Sequence, residues 1–197
     1  ADRDSMSLSL EDDCPNCDGV LETTYESGTV TVACRSCELV VTNGLLAPPV
    51  LAGTAETSAL PRLFNRLLVS DIQRMNRGLC PLCGGQVEGS LLRQTVGTEA
   101  SGTEGPFVEL VCSACGFSTT QVAGAIALDH PAVIGFLFDQ GVDIRETPLW
   151  ELDWLMGEST AVTNEDPLRV EITIDQGDEQ MNVTLDETLT VVSHKRV

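Results

Sequence analysis

The stretch Cys14-Pro15-Asn16-Cys17 is the first of four C-x-x-C pairs in this chain of 197 residues. A second pair, Cys34-Arg35-Ser36-Cys37, follows it, and the arrangement returns as Cys80-Pro81-Leu82-Cys83 and Cys112-Ser113-Ala114-Cys115. The four pairs use all eight cysteines of the chain. Cysteines in such regular pairs indicate a framework of metal sites or of disulfides.

Between the two pairs of each set, the sequence predicts a β-hairpin. In the first set, Val20–Tyr25 and Thr29–Cys34 predict strands joined by the turn Glu26-Ser27-Gly28. A hairpin brings two C-x-x-C turns together, and four thiolates in a tetrahedron are a ligand set that structural zinc prefers. The sequence therefore predicts two structural Zn²⁺ ions, one bound by Cys14, Cys17, Cys34 and Cys37 and the other by Cys80, Cys83, Cys112 and Cys115.

Other uses of the same cysteines are open alternatives. Iron, as an iron–sulfur cluster or a rubredoxin-like centre, accepts the same ligands. A redox C-x-x-C would begin a helix in a βαβ unit, which is not predicted here. Disulfides suit secreted proteins, and no secretory signal is recognisable in the sequence. Four thiolates leave no open coordination position, so neither zinc site is expected to be catalytic.

The predicted fold class is α+β, with two zinc-ribbon hairpin modules joined by an amphipathic helix and followed by a small helix-plus-meander domain. The second module repeats the first, with a longer hairpin tip at Gly97–Pro106. The predicted organisation is an acidic linker at 1–13, the first ribbon at 14–41, a loop and helix at 42–78, the second ribbon at 79–118 and a C-terminal α+β domain at 119–197.

The amphipathic helix is predicted over Leu60–Arg77, with Gly78 as its stop signal. Its apolar residues recur at helical spacing, as Leu60, Phe64, Leu67, Leu68, Ile72 and Met75. Another side of the helix carries Arg62, Arg66, Arg74 and Arg77. This arginine face could meet DNA or an acidic partner, but we expect it to pair with the protein's own acidic surface.

The C-terminal domain is predicted to contain a short helix and three strands. The helix covers Pro131–Gln140, with His130 as its N-cap and Gly141 at its end. From Arg169 onward, apolar residues alternate with polar ones, which predicts a three-stranded antiparallel meander with one buried face.

Four large aromatic side chains lie near one another in this domain, although aromatic residues make up only 4% of the chain: Phe136, Phe138, Trp150 and Trp154. Trp150 and Trp154 are four residues apart, so both could lie on one face of a helix within Thr147–Met156. We expect the four aromatic residues to form core, with an aromatic ligand pocket as the alternative.

The charge of the chain limits its partners. Thirty acidic residues face eleven basic ones, for a net charge of −19, and Lys195 is the only lysine. Such a surface repels phosphate, so this chain alone is not expected to bind nucleic acid. An acidic excess with almost no lysine is expected of a protein that works in high salt, where charges are screened. An ordinary acidic protein is the alternative.

The sequence offers no recognisable catalytic arrangement, since it has no supported Ser/His/Asp set, phosphate-binding glycine loop or separate carboxylate pair. The two histidines, His130 and His194, are expected to be structural. The protein is therefore not expected to be an enzyme. No run of 18 apolar residues predicts a membrane span. A chain without a recognisable secretory signal is expected to keep its thiols reduced for metal, which favours a cytoplasmic location.

Several stretches resemble the C-terminal region of haloarchaeal winged-helix (helix-turn-helix) transcriptional regulators of the ArsR type. The most distinctive are Leu128-Asp129-His130-Pro131-Ala132-Val133 and Pro148-Leu149-Trp150-Glu151-Leu152-Asp153-Trp154, and Gly141–Glu146 and Glu165–Val170 are also similar. With the two four-cysteine modules, the resemblance extends from Cys14 to about Val197.

This resemblance implies the regulatory half of a transcription factor. In these regulators a winged-helix DNA-binding domain precedes the first cysteine pair, and that domain is not in this chain. DNA would then be contacted only through the absent domain, while a homodimer or a protein partner is compatible with the part present. The resemblance carries over no arsenic-sensing site. The alternative is a freestanding zinc-ribbon adaptor that binds a protein of the transcription machinery.

Overall fold

The computed structural model describes residues 5–45, 57–92, 106–155 and 159–197. Over these residues the chain has an α+β fold with three antiparallel sheets and few helices, as the sequence predicts. Two of the sheets carry the cysteine pairs, and the third forms the C-terminal part. No helix in the described ranges is long and apolar enough to cross a membrane.

The first sheet has four strands in the order β1-β2-β3-β4, which cover Ser5–Asp13, Val20–Glu26, Thr29–Cys34 and Val40–Leu45. The predicted hairpin is confirmed as β2 and β3, which pair from Leu21 opposite Cys34 to Glu26 opposite Thr29. The strand β4 occupies the beginning of the region that the sequence analysis treats as a loop. The inner face of this sheet contributes to a first core, formed by Leu21, Tyr25, Val30, Val32, Leu60, Phe64 and Trp150 together with Cys14, Cys34 and Leu39.

The strand β1 shows that the expected acidic linker at 1–13 is wrong. Ser5–Asp13 pairs with β2 along most of its length. In this segment Met6, Leu8 and Leu10 alternate with serines, and Met6 and Leu10 pack against the first core. Alternation of apolar and polar residues is the pattern of a half-buried strand, so the signal was present in the sequence beneath the acidic composition.

The helix α1, Leu60–Asn76, joins the first sheet to the rest of the molecule. Phe64 packs in the first core, whereas Ile72 and Met75 pack in a second core that the second ribbon and the C-terminal domain share. The helix ends at the predicted glycine. Gly78 has φ of 75°, and Leu79 N–H donates to the Arg74 carbonyl (2.9 Å), which together form a Schellman cap.

The second sheet contains β5 (Val87–Leu92), β6 (Phe107–Cys112) and β7 (Ser118–Val122) in that order. The register places Val87 opposite Cys112, so the sheet begins beside the cysteine pairs. Most of the predicted hairpin tip, Gly97–Pro106, lies outside the described residues. The strand β7 adds to the predicted hairpin and continues the ribbon past the expected boundary at residue 118.

The helical part of the C-terminal domain consists of α2 (Gly124–Ala127) and α3 (Pro131–Asp139). The expected N-cap of α3 is confirmed, because His130 Nδ1 accepts a hydrogen bond from Ala132 N–H (3.3 Å). Gly141 follows the helix with φ of 81°, as expected of a residue that ends it.

The C-terminal sheet has four strands in the order β11-β10-β9-β8, which cover Val191–Arg196, Glu179–Asp186, Leu168–Gln176 and Thr160–Glu165. The three predicted strands are confirmed, and Val170, Ile172 and Val183 point into the second core. The fourth strand, β8, was not predicted. Its sequence is mostly polar and its residues after Thr160 are exposed at the sheet edge, so no buried face marks it.

The aromatic residues do not form one cluster. Trp150 and Trp154 lie in two separate 3₁₀ turns, Leu149–Glu151 and Asp153–Leu155. The predicted shared helix face is therefore wrong, because Leu152 between the turns has φ of −97° and ψ of 89°, outside the helical region. Trp150 packs in the first core and Trp154 in the second.

The two phenylalanines of this group differ in their burial. Phe136 is fully buried in the second core, as expected of a core residue. Phe138 is 66% exposed on the outer side of α3, so it belongs neither to a core nor to an aromatic pocket. Helical geometry separates them, since residues two apart lie on nearly opposite faces of a helix.

The arginine face of α1 mostly binds the chain's own groups, as expected. Arg66 pairs with Glu146 (2.9 Å) and Arg77 pairs with Asp129 (3.2 Å). Arg74 instead donates to the carbonyl oxygens of Cys80 and Pro81, both at 3.1 Å.

A buried asparagine fixes α1 against the C-terminal domain. Asn65 is 2% exposed. Its side chain donates to the Thr147 carbonyl (3.2 Å) and accepts from Leu149 N–H (2.9 Å). The two bonds satisfy backbone groups of a non-helical segment that would otherwise be buried without partners.

We predict that Asn65→Ala lowers the free energy of unfolding by about 2–3 kcal/mol, because it leaves one donor and one acceptor unpaired inside the protein. Ser70→Ala, at an exposed position of the same helix, is the control and should change stability by less than about 0.5 kcal/mol. Chemical denaturation of the three proteins measures the difference. Equal stabilities of the two variants would contradict the assigned role of Asn65.

Candidate metal centres

The structure brings the eight cysteines together in the two groups that the sequence predicts. The first group is Cys14, Cys17, Cys34 and Cys37, and the second is Cys80, Cys83, Cys112 and Cys115. In each group the four sulfur atoms lie within 4.8 Å of one another, and no other group of three or more His, Cys, Asp or Glu residues in the described part of the chain does so. No disulfide joins them.

The sulfur spacing fits a tetrahedral metal ion. In the first group, the Sγ–Sγ distances are 3.7 Å for Cys14–Cys37 and 3.5 Å for Cys17–Cys34. The second group gives 3.8 Å for Cys80–Cys115 and 3.6 Å for Cys83–Cys112. A tetrahedron with Zn–S bonds of about 2.3 Å has sulfur–sulfur edges of about 3.8 Å. The two groups could therefore each hold one metal ion with little rearrangement.

Within every pair, the first cysteine is buried and the second lies nearer to solvent. Cys14 and Cys34 belong to the first core, and Cys80 and Cys112 belong to the second. Cys17, Cys83 and Cys115 are exposed and Cys37 is half-buried. Each group thus lies at the end of its sheet, where it connects core packing on one side with the protein surface on the other.

Each C-x-x-C turn is followed by one residue with positive φ. In the second ribbon these residues are Gly84 and Gly116, with φ of 73° and 75°. In the first ribbon the equivalent residues are Asp18 (φ 53°) and Glu38 (φ 60°). In the first ribbon the positive φ therefore falls on Asp18 and not on the glycine that follows it. The same turn geometry is thus formed with and without glycine.

Gly19 is required for a different reason, which Gly85 shares. A Cβ atom at Gly19 would lie 2.9 Å from Cys34 Sγ and 2.6 Å from Ser36 Oγ. At Gly85 it would lie 2.8 Å from Ala114 Cβ and 3.2 Å from Cys83 Sγ. Each glycine is the fifth residue after the first cysteine of its group, so this shared offset is a sequence signal for a backbone packed against the sulfur cluster.

Backbone N–H groups point at sulfur atoms in both cysteine groups, and in the first group they favour the thiolate form of Cys34. Ser36 N–H donates to Cys34 Sγ (3.3 Å), and Gly85 N–H donates to Cys83 Sγ (3.3 Å). Hydrogen bonds from the backbone N–H of Cys37 and then of Ser36 lower the pKa of Cys34 to about 6, although burial opposes them. The thiolate is the form that binds metal.

The close approach of four thiols has the opposite effect on other members of a group. The neighbouring thiol of Cys37 raises the pKa of Cys17 to about 12. Adjacent sulfur atoms cannot all ionise easily, because their negative charges repel. A bound cation supplies the charge that allows all four to be thiolates. The arrangement is suited to binding metal, and four thiolates would leave that metal no open position.

The two histidines are close to each other although 64 positions separate them in the sequence. The ring centroids of His130 and His194 are 5.5 Å apart. His130 caps α3 through Nδ1, and burial followed by the nearby His194 lowers its pKa. The expectation that His130 is structural agrees with this contact, and neither histidine belongs to a described metal group.

A family of proteins characterised as a domain of unknown function, DUF7351, matches residues 11–191 of this sequence. This range includes both cysteine groups and nearly all of the C-terminal sheet. The chain belongs to the DUF7351 family. Comparisons with curated proteins and with solved structures gave no significant match.

We predict that Gly85→Ala disrupts the second cysteine group and Gly19→Ala the first, because the added methyl group overlaps sulfur or Cβ atoms. Overpacking of this kind costs about 1–3 kcal/mol. The charge-transfer absorption of Co²⁺ bound to thiolates reports each site. We expect each variant to lose about half of the absorption of the parent, with a lower melting temperature.

Gly135→Ala is the matched control for these glycine substitutions. A Cβ atom at Gly135 meets nothing within 4 Å, and alanine is the better helix former. The control should therefore keep the full Co²⁺ spectrum and a melting temperature at or above that of the parent. If Gly85→Ala or Gly19→Ala behaves like the control, the close approach has no role in the site.

Proposed function

We propose that each four-cysteine group holds one structural zinc ion, and that the chain forms the C-terminal regulatory and scaffolding part of an archaeal transcriptional regulator. The winged-helix DNA-binding domain of that regulator would lie outside this chain. The observation that carries the zinc proposal is the convergence of four sulfur atoms in each group, with two Sγ–Sγ distances in each between 3.5 and 3.8 Å. Thiolate ligands at this spacing suit zinc better than harder cations.

A structural role for the metal is supported by the surroundings of each group. The bound ion would supply positive charge and a tetrahedral constraint, while the chain supplies four thiolates and backbone N–H donors. Each group joins two C-x-x-C turns at the end of its sheet, and a metal site there adds its binding free energy to folding. No substrate could reach an ion whose four positions are filled, so we propose a non-catalytic role.

A scaffolding role is supported by the contacts that link the sheets. The helix α1 packs in both cores, and Arg74 near its end binds the carbonyl oxygens of Cys80 and Pro81 beside the second group. At the other end of the molecule, Trp150 Nε1 donates to Asp12 Oδ2 (2.8 Å), which ties β1 to the C-terminal domain. These contacts connect the two cysteine groups through one framework.

The regulator assignment is supported by the sequence resemblance and by the charge. The resembling stretches contain the His130 cap of α3 and the two tryptophans of the cores, so the resemblance concerns residues that build this fold. A net charge of −19 favours a part that does not itself read DNA. The same charge supports a haloarchaeal origin, and eight free thiols support the reducing cytoplasm.

We predict two zinc ions per chain in protein purified without added metal. Elemental analysis measures the metals, and titration with a thiol reagent before and after chelation counts the released thiols. Chelation should expose all eight thiols and lower the melting temperature, because the binding free energy of both ions is lost. Iron in place of zinc, or fewer than two ions with oxidised cysteines, would contradict this proposal.

We also predict that this chain alone binds duplex DNA weakly, with a dissociation constant at or above about 10⁻⁴ M, and without sequence preference, because acidic side chains repel the phosphates. Fluorescence anisotropy with two unrelated duplexes over a range of salt concentrations tests this. Tight binding to one sequence would overturn the assignment and make the arginine face of α1 the first region to mutate.

The DNA sequence directly upstream of the region that encodes this chain distinguishes a freestanding adaptor from a regulator. An in-frame winged-helix domain encoded directly upstream of this sequence supports the regulator. A start codon at that point, with co-purification of a transcription protein, would favour the adaptor instead.

A further inference from the structure

A groove runs between the first and second sheets and is separate from both cysteine groups' sulfur atoms. It has a volume of about 620 Å³, within the range of about 300–1,000 Å³ that is usual for ligand sites. One wall includes the start of β4, the residue before it, and Pro15 and Asn16 of the first C-x-x-C turn, and another wall is β7. The helix α1 forms the floor through Leu68, Ile72 and Met75.

Both walls are edge strands. In the described part of the chain β4 is hydrogen-bonded only to β3, and β7 only to β6. Edge strands present backbone N–H and C=O groups that have no partner in their own sheet. A groove with two such walls therefore differs from an ordinary apolar cleft, because it offers backbone donors and acceptors on each side.

The register identifies the free backbone groups of β7. In an antiparallel pair, residues that exchange hydrogen bonds alternate with residues whose N–H and C=O point away. Ala123 N–H donates to the Pro106 carbonyl (3.1 Å), and the register of β6 with β7 continues from there without a shift. The backbone groups that point away from β6 are those of Ser118, Thr120 and Val122.

The same alternation applies to β4. The register of β3 with β2 leaves Val30 and Val32 to bond with β4, where they lie opposite Gly44 and Thr42. Asn43 lies between these two residues, so its N–H and C=O point away from β3. Asn43 and Thr120 both line the groove, and each therefore brings free backbone groups to one of its walls.

Two further features indicate what the groove accepts. The floor is apolar, so it suits side chains that alternate along an extended strand. Gln121 lines the groove, so the wall formed by β7 also carries a polar side chain.

We propose that this groove binds an extended segment of a partner protein by β-strand addition, with apolar residues directed at the floor and with no net negative charge. The requirement that the segment carry no net negative charge follows from the charge of the groove lining and from the net charge of the chain. Asp153 is the one charged side chain among the described residues that line the groove, and the protein carries a net charge of −19. An acidic segment would be repelled and a cationic segment attracted, whereas the net charge leaves an uncharged segment unaffected.

The test uses an eight-residue peptide that alternates threonine with valine and carries arginine at both ends. Isothermal titration calorimetry compares the parent chain with its variants Thr120→Pro and Thr120→Val. Proline removes the N–H that faces the groove but no bond within the sheet, so edge strands tolerate it. We expect binding to weaken at least about tenfold in Thr120→Pro, the effect of one lost hydrogen bond, and to be unchanged in Thr120→Val.

A second peptide has the same side chains but is N-methylated at every second amide. It distinguishes binding by strand addition, which needs backbone N–H donors, from binding by apolar contacts alone. It should not bind, because it lacks the backbone donors. In the free protein, the amides of Thr120 and Asn43 should exchange with solvent hydrogen rapidly, and the peptide should slow them. Circular dichroism and melting temperature establish that Thr120→Pro is folded, and a Leu68→Gln variant tests the floor independently if it is not.

The proposal is overturned if the N-methylated peptide binds as well as the parent peptide, if the parent peptide fails to bind at millimolar concentration, or if both amides are already protected in the free protein. Self-association that Thr120→Pro abolishes would identify a second copy of this chain as the occupant instead. The proposal goes beyond the regulatory role, and its test is read separately from the measurements of metal content and of DNA binding.

Discussion

The convergence of four sulfur atoms in each ribbon is the constraint on which the rest of the structure depends. One cysteine of every pair is buried in a core, so the cluster and the apolar packing form together. The backbone must pass so close to the sulfur atoms that Gly19 and Gly85 have no room for a side chain. Neighbouring thiolates repel one another, and a cation removes that repulsion. Metal binding and folding are thus expected to be coupled.

The two ribbons are not independent modules, because α1 has one end in each core. Apolar packing attaches the helix at both ends, and Asn65 adds a directional contact by satisfying two backbone groups near Leu149. Such a buried polar contact permits one orientation of the helix, whereas apolar packing alone tolerates several. The arrangement that results leaves the edges of two sheets facing a common groove, so the orientation of α1 also determines the shape of the proposed binding surface.

Much of the fold and of the candidate site could be predicted from local patterns. The cysteine spacing indicates both groups, the apolar period of Leu60–Arg77 indicates α1, and alternation after Arg169 indicates three strands. The errors also have local causes. An acidic composition hid the alternation of β1, and the polar sequence of β8 carried no signal of burial. Trp150 and Trp154 have helical spacing, but the backbone at Leu152 turns them into different cores.

The sequence by itself determined which residues can bind metal, where the helices cap and which strand faces are apolar, because these depend on residue type and on contacts a few positions apart. The contact of Asp12 with Trp150, the binding of Asn65 to the segment at Leu149 and the shared groove lined by β4, β7 and α1 depend on the tertiary structure alone. These contacts join residues that are far apart in the chain, and their formation depends on how all three sheets pack together. No local pattern encodes that packing.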